Sequence, residues 1–424
     1  MREILTIIAA CFVVALAAAL AAPPFIDWNS HSAAIAQKLG DGFGGRVALE
    51  GPVRLRLLPA PRLTAGVLVA ERPGLVVRAK DAALELSAPA LLRGAFEFTE
   101  VALAGAEVAI DPARLEIADR DVSRVAVSAF RLTDSTLSIA GPSPFSLAHV
   151  DMTGAADSLI GPFRGQGAWR AAGEVAFTFS TGKIEQGRLR GKFTFDDPAM
   201  KRHGEATGDL ALVGGAPEFS GQAILAGVVG QAPARASFAL KASVDTLHAE
   251  KIDARLGDED HALNFSGEAD FSHAKGLDAQ LTAASLDLDR FRSAYPAAEI
   301  AQVAAPFPLR ARLAADSATL GGEALTNLAL DMSLKDGAAP SIALDASLPG
   351  RTRLHYDGAL ASLHALDGAL KIETRDPGKL AGWLAPAAPQ AARWLAAATA
   401  APIPARPAPQ TSTSGVAMMG ICLE

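Results

Sequence analysis

Aromatic side chains are scarce in this 424-residue chain: they make up 6% of it, with two tyrosines and four tryptophans. Outer-membrane β-barrels ring both membrane interfaces with aromatic girdles, and a chain this poor in Tyr and Trp has little to build them from. Cysteine is nearly missing as well. The two present, Cys11 inside an apolar run and Cys422 far from it, offer neither a disulfide framework nor a thiolate metal site. The fold must therefore hold by packing and hydrogen bonding alone. Clustered positive charge is also lacking. Net charge is −7, the pI is about 5.7, and no stretch gathers the cations that a nucleic-acid footprint needs. No nucleic-acid partner is expected.

Local signatures of catalysis are missing in the same way. Residues 40–45, Gly-Asp-Gly-Phe-Gly-Gly, fit the spacing G-x-G-x-x-G. A phosphate cradle needs that loop after a strand and before a helix, whereas the order here is helix, loop, strand, so the segment reads as a turn. His248 and Glu250 form H-x-E without the P-C-x-x-C half of a zinc deaminase. No H-E-x-x-H, nucleophile elbow or P-loop occurs. Asp258-Glu-Asp-His261 is the one acidic cluster with a histidine; it reads as a solvated hairpin tip, as does Asp196-Asp-Pro198. The expectation is a protein with no catalytic residues, no metal and no cofactor, and not an enzyme.

What is present begins with an uncharged apolar run from Ile4 to Ala22. Its length suits one membrane-spanning helix and exceeds the usual apolar core of a secretory signal. A retained anchor is the favoured reading, with a cleavable signal ending near Ala17-Ala-Ala19 as the rival; both export the rest of the chain. Gly (38) and Pro (26) are spread along the sequence rather than clustered, which implies many short elements joined by tight turns.

After Trp28, Asn29 or Ser30 can cap a short helix carrying Ile35 and Leu39, with Gly40 as its left-handed stop. The period then changes to two. Val53, Leu55 and Leu57 alternate with Arg54 and Arg56, and further pairs follow at Leu84/Leu86, Phe96/Phe98, Val101/Leu103 and Val125/Val127. Val175, Phe177 and Phe179 share one strand face, as do Phe193 and Phe195. Phe238, Leu240, Ala242 and Val244 alternate with polar or small residues, and so do Leu263, Phe265, Gly267, Ala269 and Phe271. Leu328, Leu330, Met332 and Leu334, then Ile342, Leu344, Ala346 and Leu348, complete the set. Such segments recur every ~10–15 residues, as sequential antiparallel strands with one apolar face do. Two helical interruptions are expected, at Leu286–Tyr295 and from the Asp376-Pro377 pair through Leu380, Trp383 and Leu384, with a second Ala-rich turn at Trp394 and Leu395.

The stretch from Pro24 to Leu63 carries a resemblance. Pro24-Phe-Ile-Asp27-Trp28-Asn, a short helix, and then the pattern set by Gly51, Val53, Leu55, Leu57, Leu58, Pro59, Pro61 and Leu63 resemble the entry segment of AsmA-like proteins of the bacterial envelope. Leu91-Leu-Arg-Gly94 and Gly161-Pro-Phe163 are softer matches. The resemblance implies a mainly β fold: an N-terminal transmembrane helix, a chorein-like region, and an elongated, curled antiparallel sheet with a groove and a few short helices. On that reading residues 1–22 are the anchor and 23–140 the chorein-like region. The β-rich groove covers 141–380, and 381–424 form an Ala/Pro-rich helical and then disordered tail.

It further implies a single-pass protein of the bacterial inner membrane with its bulk in the periplasm. The implied role is in outer-membrane biogenesis and phospholipid transport, with membrane phospholipids and envelope assembly proteins as partners. The residues expected to line the groove are Val175, Phe177, Phe179, Phe193, Phe195, Phe238, Leu240, Val244, Leu263, Phe265, Phe271, Leu328, Leu330 and Leu344. Two other readings stay open: an outer-membrane β-barrel, and a scaffold for outer-membrane protein assembly that binds no lipid.

Overall fold

The structure is a computed structural model. It describes residues 27–57, 60–92, 97–114, 127–140, 144–158, 161–171, 173–213, 216–243, 245–272, 274–295, 308–334, 340–362 and 365–400. The apolar run Ile4–Ala22, the Pro24-Phe25 pair, Leu58, Pro59, Phe96, Val125, Val244 and the segment 401–424 lie outside the described residues. Among the described residues no helix is long and apolar enough to cross a membrane.

The chain is mainly β, with 24 strands and a few short helices among the described residues. It divides into two compact units, Met1–Gly221 with Ala242–Asp245, and Gln222–Lys241 with Thr246–Glu424. The first begins with a turn of 3₁₀ helix at Trp28–His31 and then helix α1 (Ser32–Phe43). Asp27 caps the 3₁₀ turn, its side chain accepting from the Asn29 amide; α1 itself follows His31, which makes no side-chain cap bond, so neither Asn29 nor Ser30 caps it. Gly40 lies inside the helix, so close to the following strand that a Cβ there would sit 2.8 Å from the Gly45 carbonyl oxygen. The left-handed stop is Gly44, at φ +72°.

Eight short strands follow: β1 (Arg46–Glu50), β2 (Arg54–Arg56), β3 (Arg62–Ala65), β4 (Val67–Arg72), β5 (Leu75–Ala79), β6 (Asp81–Leu86), β7 (Phe98–Ala104) and β8 (Glu107–Ile110), with helix α2 (Ala88–Leu92) between β6 and β7. Six longer ones come next: β9 (Val127–Ile139), β10 (Phe145–Ala156), β11 (Phe163–Arg170), β12 (Glu174–Glu185), β13 (Arg188–Asp197) and β14 (Arg202–Val213). From β9 to β14 each strand pairs antiparallel with the next, as the alternation implies. Before that, neighbouring-strand pairings (β2–β3, β4–β5, β6–β7) are interleaved with longer-range ones. β1 pairs with β4, β3 with β6 and β5 with β8, while β7 and β8 both pair with β9 in parallel. No local pattern records which distant partner each of these short strands takes.

β15 (Ala216–Val229) and β16 (Ala232–Ala242) lie where the chain passes between the units. The second unit holds β17 (Thr246–Leu256), β18 (Leu263–Ser272), β19 (Gly276–Asp287), β20 (Leu309–Leu320), β21 (Glu323–Leu334), β22 (Ser341–Leu348), β23 (Thr352–Ser362) and β24 (Ala365–Glu373). Successive pairs are antiparallel except β19 with β20, which is parallel. Leu286 belongs to β19; the helix that follows, α3, is Leu288–Ala294, because the Asp287 side chain accepts from the Arg290 amide and starts it there. α4 (Pro377–Leu384) starts as its Asp-Pro pair implies, Asp376 accepting from the Lys379 amide. The Ala-rich segment beyond is a full helix, α5 (Pro389–Ala400).

Candidate functional site

Residues directly opposite in a β-ladder share a face, so the register of the first unit traces one continuous surface. Leu84 faces Val101, which lies beside Phe130; Leu103 lies beside Leu132. Phe130 and Leu132 face Gly154 and Met152, and these face Gly165 and Gly167. The two glycines face Phe179 and Phe177, which face Phe193 and Phe195, and Phe195 faces Gly204. Every residue on this track is apolar or glycine. The reverse side is polar: Thr178 and Thr194 share a hydroxyl contact at 2.7 Å, and Lys192 pairs with Glu205 at 2.7 Å.

The two ends of the track are treated differently. Toward β1–β7 the face is covered. Ile35, Leu39 and Phe43 of α1, with Trp28, pack on a cluster of buried Val53, Leu63, Ala65, Leu68, Ala70, Ala82 and Leu84. Asn29 fastens this cover, its side-chain oxygen accepting from the Val53 amide at 2.8 Å. An apolar cavity of about 230 Å³ remains beneath the helix; Leu39 and Phe43 border it from above, and Val77, Phe98, Val101 and Val127 from the sheet. Val101 is thus both a wall of the cavity and the neighbour of Phe130.

Across β9–β14 the same face is open. Phe177, Phe179 and Phe195 are half-buried and Phe193 is 40% exposed. The rings gather: Phe177 lies 5.5 Å from Trp169, 6.5 Å from Phe179 and 6.3 Å from Phe193 between centroids. Their neighbours are glycines for a physical reason. A Cβ on Gly165 would stand 2.6 Å from Phe179 Cε1, and one on Gly167 2.9 Å from Phe177 Cζ; Phe130 blocks Gly154 and Phe195 blocks Gly204 in the same manner. Phe130, Phe177, Phe179 and Phe195 thus each occupy the space that a side chain at the facing glycine would need, and together they make an apolar floor.

In the second unit the corresponding face joins Leu263, Phe265 and Phe271 of β18 to Leu281 of β19, Leu313 of β20, Leu328 and Leu330 of β21, and Leu344 of β22. One end is closed. Phe291 of α3 is buried with Leu263, Leu286, Ala318 and Leu325, and Trp383 of α4 packs against them and donates from Nε1 to the Leu320 carbonyl at 2.8 Å. Asp289 clamps the β20–β21 turn by accepting from the Gly321 and Gly322 amides at 2.7 and 2.8 Å, and these bonds hold its carboxyl below the usual range. Farther along, Leu330 and Leu344 are half-buried, and Leu370 and Ile372 of β24 are 38% and 41% exposed.

Thirteen of the fourteen sequence-predicted lining residues are therefore placed, the fourteenth being Val244. Val175, Phe177, Phe179, Phe193 and Phe195 lie together on β12 and β13 of the first unit, with Val175 buried. Phe238 and Leu240 are half-buried on β16, in step with buried Ala232 of the α3-capped cluster. Leu263, Phe265 and Leu328 pack within that cluster, while Phe271, Leu330 and Leu344 stand on the less covered part. Of the entry motif, Asp27 is the cap, Trp28 packs under the helix, Gly51 takes φ +77° and Pro61 is buried. The sequence reading missed Phe130, Trp169 and the glycines facing the rings. The signal was there in Gly165 and Gly167, two glycines at period two inside a strand.

The polar face of the second unit carries a ladder of charge. Lys241 pairs with Glu250 at 2.8 Å, Glu250 and Asp270 both bond His248, Arg312 pairs with Asp278 at 2.8 Å, and Arg310 with Asp331 at 2.7 Å. The Asp270 hydrogen bond raises the His248 pKa, and the Arg310 bond lowers that of Asp331. Asp258 and His261 pair at 2.8 Å at the β17–β18 hairpin tip. Among the described residues no group of three or more His, Cys, Asp or Glu is placed to hold a metal. The chain matches no family model, no curated protein and no solved structure.

Proposed function

We propose that this chain is a lipid-handling protein of the bacterial envelope, similar to the AsmA type, in which the apolar sheet face carries phospholipid acyl chains. The observation that carries the reading is the open part of the face. Phe177, Phe179 and Phe195 stand over glycines, Phe193 packs beside Phe177, and all four remain solvent-accessible, whereas a sheet that served only as a core would bury them. An exposed contiguous apolar patch marks an interaction surface, because each apolar Å² left in water forgoes about 25 cal/mol. Acyl chains suit the floor: they are apolar, flexible and indifferent to sequence, and they ask for smoothness rather than for hydrogen-bond donors. Within the second unit the charge ladder likewise lies opposite the apolar face.

On this account Ile4–Ala22 anchors the chain in the inner membrane, the rest is periplasmic, and the protein serves outer-membrane biogenesis without chemistry of its own. The groove is the open apolar face of the sheet. Envelope assembly proteins are the expected partners.

The test is native mass spectrometry of the full chain against a Phe177→Asp/Phe193→Asp double variant, prepared identically so that lipid held by the anchor cancels. Phospholipid bound to the wild type and lost from the variant supports the reading. Equal retention by both folded proteins overturns it in favour of a scaffold, and recovery of the chain in the outer-membrane fraction would point to a barrel.

A further inference from the structure

Among the described residues β24 is paired on one side only. Its register with β23 runs from Arg353 opposite Glu373 to Ser362 opposite Ala365, and among the described residues no strand or helix lies along its other edge. From Asp367 to Glu373 every residue is exposed, with Leu370 at 38% and Ile372 at 41%. A free edge with exposed aliphatic side chains is a template for another strand. Natural edges are blunted by charged side chains, lysine above all, by proline or by a bulge, and such charges block a partner strand unless it carries their complement. This one carries Asp367, Lys371 and Glu373, a basic residue between two acids.

We propose that β24 pairs antiparallel with β24 of a second copy of this chain, about a two-fold axis at Ala369. The charges choose this register. A two-fold pairing that keeps each face on its own side puts a residue, not a gap between residues, on the axis. With Ala369 there, the whole of Ala365–Glu373 overlaps, and Asp367 of each copy stands opposite Lys371 of the other, twice. Gly368 stands opposite Leu370, repeating the pairing of glycine with a bulky apolar residue seen at Gly165 and Phe179. Moving the axis to Leu370 sets Asp367 against Glu373, a like-charge clash at both ends. Moving it to Gly368 leaves Asp367 and Lys371 facing alanines. In the single copy Lys371 pairs with Glu373, two residues along its own strand, at 2.7 Å, and both side chains are well exposed. Such a pair is worth little in water and yields readily to a cross-strand partner. The occupant is a second copy because the edge complements itself. The pairing also joins the Leu370 and Ile372 side of β24 to the same side of its twin, so one apolar face continues into the next.

Sedimentation velocity on the full chain in a non-ionic detergent tests this with two charge reversals. Wild type is expected to dimerise with concentration. Asp367→Lys and Lys371→Asp each turn two attractions into two repulsions, and each is expected to weaken self-association about tenfold or more. Mixed one to one, the two variants restore both attractions in a heterodimer, and association near the wild-type level is expected. That rescue also shows that both variants are folded. A monomeric wild type, unchanged association in either variant, or a mixture that does not recover overturns the proposal.

Discussion

Under α1 the sheet face is aliphatic and sealed, with Leu63, Leu68 and Leu84 each no more than 7% exposed. Six strands along the ladder, on β13, the same face is aromatic and open, with Phe193 at 40%. The two stretches have the same period-two pattern and are joined residue by residue through Val101 and Phe130. What separates them is a helix. Where α1 supplies Ile35, Leu39 and Phe43, the strand side chains behave as core; where no helix follows, the rings stand over glycines and pack with each other. Alternation in a sequence therefore announces an apolar face, and a neighbouring element decides whether that face becomes a core or a surface. The second unit shows the contrast again, with α3 and Trp383 closing one end while Leu370 and Ile372 stand exposed.

Substitutions should separate the two stretches. Leu84→Ala, in the sealed part, is expected to cost about 2–5 kcal/mol by chemical denaturation, since it removes buried methyl groups and leaves a cavity. Gly165→Val comes next, at about 1–3 kcal/mol, because the new side chain meets both the Phe179 ring and the Thr153 carbonyl oxygen. Combining it with Phe179→Ala should return part of the loss, and a purely additive double mutant would break the ring-over-glycine account. Trp383→Phe keeps an aromatic ring on the capped end but loses the bond to Leu320, for about 1 kcal/mol. Phe193→Ala, on the open stretch, is expected to cost less than about 1 kcal/mol of stability, since a ring already this exposed loses little burial. A Phe193→Ala penalty as large as that of Leu84→Ala would erase the distinction.

The smallest effect concerns pH. Asp270 raises the His248 pKa, so the pair contributes most below the ordinary imidazole value of 6.5 and its contribution is lost as pH rises through the higher folded value. His248 is 36% exposed, which keeps the contribution small. A proton NMR titration of His248 is expected to show a midpoint above 6.5 in the wild type and a lower one in Asp270→Asn.

Much of this was legible in the residues. The strands at Val175–Phe179, Leu263–Phe271 and Leu328–Leu334 follow from alternation alone, and the Asp376-Pro377 pair announces α4. The hairpin tips at Asp196 and Asp258 follow from their turn residues. What was not legible is long-range. The parallel pairings of β7 and β8 with β9, and of β19 with β20, depend on partners far away in sequence. Gly40 looked like a helix stop because glycine usually is one; here it is the close contact of helix with strand, and the helix runs on to Gly44. Leu286 fits a helical stripe and a strand equally well until the Asp287 cap settles where the helix begins. The lining residues were recognisable as apolar, but nothing local to Phe265 or Phe193 says that one lies under a helical cap and the other lies open.

The most direct measurement is site-specific photocrosslinking in living cells, with a photoreactive phenylalanine at position 193 on the open stretch and, as the control, at position 84 under α1. The account predicts that phosphate-labelled phospholipid crosslinks to position 193 and that position 84 yields no lipid adduct. Lipid at neither position, or equally at both, would contradict it.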